Sequence, residues 1–193
     1  MNSDKVRIAN GLHSLAILAE RTVENTEVLG LIVSAMRTCL ESGGTLFFAG
    51  NGGSAADAQH IAAEYVVRYH KGIQKALRAI ALTTDTSILT AAGNDLGYEW
   101  IFDRQLDALG RPEDVLTVHS TSGDSLNCIR AVQRANRIGM TTIAFLGGDG
   151  GKLKDMVHYP FIVDDTRTSH VQEIHLAVQH QIAEILTTEY SWP

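Results

Sequence analysis

Residues 50–64 read GNGGSAADAQHIAAE: a glycine turn, a serine, and then a helical stretch that carries His60 and Glu64 four residues apart. Asn51, Gly52 and Gly53 follow directly on an apolar run at 45–49. This order predicts a strand ending in a tight turn, whose backbone amides join the N-terminus of the next helix in facing an anion. Ser54 is placed to cap that helix. Four residues along a helix rotate a position by only about 40°, so His60 and Glu64 share a face and lie within reach of one ligand or metal ion. A solvent-facing pair would show the same spacing.

Outward from this stretch, strands are expected at 45–49, 79–82, 114–119, 141–146 and 159–163, alternating with helical segments. That pattern reads as an α/β three-layer sandwich, a five-stranded parallel sheet with helices on both faces. Two helices within 3–43 precede the first strand, with apolar stripes at Leu12, Leu15, Ala16 and Ala19, then at Val28, Leu31, Ile32, Ala35 and Leu40. Their apolar surface exceeds what a short appendage needs, so they are expected to form a bundle with another subunit; covering their own sheet is the plainer alternative. A last helix is expected over 168–189 from Val171, Ile174, Ala177, Val178, Ile182 and Ile185. The 193 residues are read as one domain, with 1–43 a helical pair and 44–193 the core.

A net charge of −6 gives no general attraction to nucleic acid or to an anionic membrane surface. Any phosphate site is therefore local and built largely from backbone and hydroxyl groups. No run approaches the roughly 20 apolar residues needed to cross a bilayer, and the polar start lacks the apolar centre of a leader. Cys39 and Cys128 lack metal-ligand spacing and read as buried, inert thiols in a reducing compartment. The expected location is the cytoplasm.

A second anion-type loop follows the third expected strand, where Ser120, Thr121, Ser122, Gly123, Asp124 and Ser125 lead into a helix near Leu126. Ligands of a doubly wound sheet collect at the carboxyl ends of its strands, where this loop and the Asn51–Ser54 turn both lie. Turn and cap roles account for any one hydroxyl, but poorly for four together. On the last helix, Gln172 and His180 are eight residues apart, about 80° around the axis, and can face one site; His175 and His180 differ by about 140°, so only one of the two should. A satisfied core or interface role remains open for His180. After the second strand, Asp85 or Thr86 reads equally as a cap or a sugar contact, and Asn94 and Asp95 equally as a turn or a sugar contact.

With these segments together, GNGGSAADAQHIAAE at 50–64, GND at 93–95, STSGDS at 120–125 and QEIHLAVQH at 172–180, the chain resembles the sugar isomerase (SIS) domain family over nearly its whole length. Within it, the resemblance is to the phosphoheptose isomerases. This implies a flavodoxin-like SIS fold and conversion of sedoheptulose 7-phosphate to D-glycero-D-manno-heptose 7-phosphate, the first step toward ADP- or GDP-heptose. It implies Glu64 and His180 as the acid/base pair. Substrate contacts would come from Asn51, Gly52, Gly53, Ser54, Glu64, Arg68, Asn94, Asp95, Ser120, Thr121, Ser122, Ser125 and Gln172. One zinc ion per subunit would be held by His60, Glu64, Gln172 and His180, and the assembly would be a homotetramer with active sites shared between subunits. An ion pair with Glu64, one turn earlier, is the plainer role for Arg68. Fold relatives that associate with the bacterial replication initiator without catalysis lack the paired acid/base residues and are the competing class; an isomerase of another sugar phosphate is the intermediate one.

Three departures from the family stand out. Asp124 replaces a usual asparagine and puts a carboxylate beside the anion loop, which weakens anion binding unless it turns away. Ser169 and His170 stand where an arginine is common, with Arg167 nearby as a substitute. His119, just before the serine loop, is unusual.

Overall fold

The structure, a computed structural model, describes residues 2–69 and 75–189. Helices α1 (Asn2–Thr22) and α2 (Thr26–Glu41) lead into β1 (Leu46–Gly50), α3 (Gly53–Val66), β2 (Ala79–Ala81), α4 (Thr86–Asp95) and α5 (Asp103–Leu109). They are followed by β3 (Val115–Ser120), α6 (Leu126–Ile138), β4 (Thr141–Gly147), β5 (Tyr159–Val163) and α7 (Thr168–Glu189). The strands form one parallel sheet in the order β2-β1-β3-β4-β5. The chain winds from β1 out to β2, then crosses back to β3. The connections therefore diverge at the carboxyl ends of β1 and β3, which opens a crevice there.

Alternate strand residues feed two cores. Leu46, Phe48, Phe145 and Phe161 pack with Ile32, Ile61 and Ile182 beneath α2, α3 and α7. Phe47, Leu116, Val118 and Leu146 pack with Leu106 and Val132 beneath α5 and α6. The central strands β1, β3 and β4 are buried on both faces and read as continuous apolar runs. Strands β1 and β3 begin one residue later than expected. The Thr45 amide donates to Asp114 Oδ1 at 2.7 Å, and this side-chain contact stands where the ladder would otherwise begin. Cys39 and Cys128 are buried, free and pushed up to about 12 by that burial.

Helix α1 is mostly bare. Leu18 is buried, while Val6, Ile8, Leu12 and Ile17 are exposed. An apolar groove of about 680 Å³ runs between α1, α2 and α7, past Ala19, Val23, Leu29, Val33, Ile174 and Ile185. Among the described residues no helix is long and apolar enough to cross a membrane.

Candidate active site

The crevice at β1 and β3 is a pocket of about 310 Å³ lined by Asn51, Gly52, Gly53, Ser54, His119, Ser120, Thr121, Ser125, Thr168 and Gln172. Three helices begin at it: α3 at Gly53, α6 just after Ser125, and α7 at Thr168. Their unpaired amides and aligned dipoles all favour negative charge at this spot. Gly52 holds φ +56 and occupies the N-cap of α3. Ser54 is therefore not the cap; it lies in the first turn, where its hydroxyl accepts from Gln172 Nε2 at 3.4 Å. Ser125 occupies the N-cap of α6 without a side-chain capping bond, and its hydroxyl instead meets that of Ser120 at 3.3 Å. These hydroxyls are thus held in the pocket rather than spent on caps.

The serine loop owes its shape to backbone contact. Gly123 has φ +67, and a methyl group there would come within 2.0 Å of the Gly150 carbonyl oxygen. The 148–151 turn thus forms the rear wall of the loop. Asn51 is fixed by Asn127, whose Nδ2 donates to Asn51 Oδ1 at 2.7 Å, and by the Tyr98 hydroxyl, which donates to the same oxygen at 3.0 Å. Asn127, Tyr98 and Thr168 escaped the sequence reading. Thr168 carried the available signal, a hydroxyl at a helix start.

The second cluster lies farther along α3 and α7. His60 Nε2 is 2.7 Å from His180 Nε2 and 3.6 Å from Glu64 Oε1. The ligand atoms of all three residues fall within 4.8 Å of one another. Burial, then the neighbouring His60, lowers the His180 pKa, while Glu64 opposes the shift. Because Ser54 meets Gln172 while His60 meets His180, α3 and α7 run side by side in the same direction. At 1.5 Å per residue, the cluster is about 9 Å from the pocket along α3 and about 12 Å along α7. The candidate site thus has two parts set along α3 and α7, a hydroxyl-lined pocket (the cradle) at the start of both helices and the His60, Glu64 and His180 cluster farther along them.

Several expected residues sit elsewhere. Gln172 does not lie at the His60 end; its amide is against Gly53 and Ser54 at the cradle. Ser122 is exposed and its Oγ accepts from the Asp124 amide at 3.2 Å. Asn94 and Asp95 form the exposed last turn of α4, where Asn94 Nδ2 donates to Asp95 Oδ1 at 2.8 Å. Asp85 caps α4, accepting from the Ile88 amide at 2.9 Å. Arg68 is exposed beyond the end of α3, and no ion pair joins it to Glu64 among the described residues. His175 turns inward and its Nε2–H donates to the Leu146 carbonyl at 3.0 Å, which leaves His180 as the histidine that faces the site.

The chain is similar to known proteins over most of its length. The SIS domain family matches residues 12–147. A phosphoheptose isomerase of Aquifex aeolicus is 51% identical over 160 residues, covering 83% of this chain and 81% of its own. The chain belongs to the phosphoheptose isomerase family of SIS-domain proteins. The solved phosphoheptose isomerase of Neisseria gonorrhoeae superposes with a TM-score of 0.90 at 38% identity, covering 95% of this chain and 98% of that one. That of Francisella tularensis gives 0.91 at 33%, covering 97% and 99%.

Against the usual phosphoheptose isomerase pattern, the Asp124 carboxylate turns outward. Its Oδ1 lies 3.7 Å from Lys152 Nζ and accepts from the Lys152 amide at 3.4 Å. Arg167 does not reach into the pocket's lining; it pairs with Asp165 at 2.6 Å and pulls that carboxyl down to about 2. His170 stands 3.8 Å from the same carboxylate.

Proposed function

We propose that this isomerase of the phosphoheptose family converts sedoheptulose 7-phosphate to D-glycero-D-manno-heptose 7-phosphate through an enediol, at the site along α3 and α7. The observation that carries this reading is the separation of the two ends. A sugar with phosphate on its last carbon and a carbonyl near its first needs an anion site and a proton-transfer site a sugar's length apart.

Ser54, Ser120, Thr121 and Ser125 bind the phosphate, aided by the three helix starts, and Gln172 orients Ser54. Asn51, Gly52 and Gly53 supply the turn. Glu64 and His180 flank carbons 1 and 2. One removes the proton from the carbon beside the carbonyl, the other manages the proton on oxygen, and the pair then returns a proton to the neighbouring carbon. His180, disfavoured as a cation by burial and by His60, is suited to the basic role.

The donor set also suits zinc. Two imidazoles and a carboxylate are borderline ligands, and their mutual spacing of 4.8 Å or less is compatible with closure to the roughly 3.3 Å edge of a zinc tetrahedron. His60, Glu64 and His180 would hold the ion, which when bound supplies Lewis-acid polarisation of the sugar oxygens; Glu64 or His180 acts as base only when released from it.

Residues 1–43 are the assembly unit of a single-domain chain, and the bare α1 face with the adjacent groove supports a homotetramer. Ser122, Arg68, Asn94 and Asp95, which are outside the pocket lining within one chain, meet substrate at a shared boundary. The enzyme works in the cytoplasm, on a precursor of activated heptose. The test is to incubate metal-defined protein with sedoheptulose 7-phosphate and follow the aldoheptose product by NMR, alongside Glu64→Gln. Conversion by the parent alone is expected; none with or without zinc would overturn the reading.

A further inference from the structure

The floor of the cradle contains a polar pair that the reaction does not consume. His119 closes β3 and Gln179 faces it from α7; each is 1% exposed. Aromatic neighbours surround His119, with Phe145 and Phe48 at centroid distances of 5.4 and 6.5 Å. His119 Nδ1–H donates to the Ala49 carbonyl at 3.3 Å, which leaves Nε2 to accept from Gln179 Nε2–H. Burial, with His175 alongside, pushes His119 down to about 3. The ring is therefore neutral under working conditions and the direction of both bonds is fixed. The arrangement is costly, since Gln179 Oε1 is buried without a partner; two apolar residues would avoid that cost.

The location of the pair offsets the cost. Ala49 precedes the Gly50–Asn51 turn, His119 precedes Ser120, and Gln179 precedes His180. One buried contact thus links the backbone of both anion loops to the helix that carries the acid/base histidine. α7 otherwise packs through apolar Val171, Ile174, Ile182 and Leu186, and its other directional ties, Gln172 to Ser54, His180 to His60 and Glu189 to Arg37, involve part-exposed side chains. His175 on the Leu146 carbonyl is the other fully buried tie, one turn earlier.

We propose that His119 and Gln179 are a positioning pair that holds α7 in register with the two anion loops, fixing the distance from bound phosphate to His180 and hence the length of sugar isomerised. This rests on the acid/base reading of His180 given above.

The test compares the parent with Gln179→Met, His119→Leu and the double variant, well below each thermal midpoint. Measured are kcat and KM on sedoheptulose 7-phosphate and on a ketohexose 6-phosphate, and inhibition by inorganic phosphate. Because misplacement by about 1 Å can cost about 10²-fold in rate, Gln179→Met is expected to lose about 10-fold or more in kcat on the heptose. Its inhibition by phosphate stays within about 2-fold, and its preference for heptose over hexose shifts. The double variant loses no more than the worse single, because the pair acts as a unit. Unchanged kcat with only a lower midpoint, or losses that multiply in the double, would overturn the proposal. If His119→Leu does not fold, His119→Asn, which keeps an amide N–H for Ala49 but draws back from Gln179, carries the same test. A parent inactive on both sugars would instead remove the isomerase reading on which the pair's role depends.

Discussion

The two ends of the candidate site are built in opposite ways. The cradle is made of backbone and short hydroxyls at the carboxyl ends of buried strands, with every wall braced from behind: Gly150 behind Gly123, Asn127 and Tyr98 behind Asn51, and Gln172 against Ser54. The acid/base end consists of three side chains on helix surfaces, and the His60 side chain is 46% exposed. On the proposed function, rigidity is concentrated where the ligand is gripped, whereas titratable groups are concentrated where protons move. The first end should govern affinity and the second turnover.

The sharpest way to break this division is at the second end. His180→Gln or Glu64→Gln should lower kcat by at least about 10²-fold, while inhibition by inorganic phosphate is unchanged; a parallel loss of phosphate binding would merge the two ends. Next in size, Gly123→Ala forces a methyl group onto the Gly150 carbonyl at a positive φ. It should raise KM by about 10-fold or more and lower the thermal midpoint, as strain at a special backbone position does. Ser120→Ala removes a bond to the anion together with the acceptor for the Gly123 amide and the donor to Ser125, so KM should rise by about 10-fold with kcat kept. The smallest effect is in the pH profile. Because burial and His60 both oppose the His180 cation, its basic form persists to lower pH than for a free imidazole. The acid limb of kcat/KM should accordingly fall below the ordinary imidazole value of about 6.5. A limb above that value would mean that Glu64 outweighs burial there.

The cradle was the more legible end because its signals are local. A glycine turn after an apolar run, and hydroxyls before a helix, state their own position in the fold. The acid/base cluster was legible only in part. Spacing along a helix gives an angle around the axis, which correctly put His60 beside Glu64 and turned His175 away from His180. The same spacing gives a rise of about 12 Å between Gln172 and His180, so their closeness of about 80° in projection does not by itself bring the two side chains to one point. Individual side-chain contacts between distant segments were not readable. The Asp114 carboxylate that delays β1, 69 residues from Thr45, and the Lys152 side chain that faces Asp124 away from the loop have no signature in either segment alone.

Among the described residues the lining of the cradle includes no lysine or arginine. Fixed dipoles, unlike mobile side-chain cations, sit in contact with their ligand, far inside the Debye length of about 8 Å at physiological ionic strength. Dissolved ions therefore have little to screen at the point of contact, whereas the repulsion between a dianion and a protein of net charge −6 acts over longer distances and is weakened by them. Phosphate capture by such a pocket holds steady, or improves slightly, as ionic strength rises, the reverse of what a clamp of basic side chains would show.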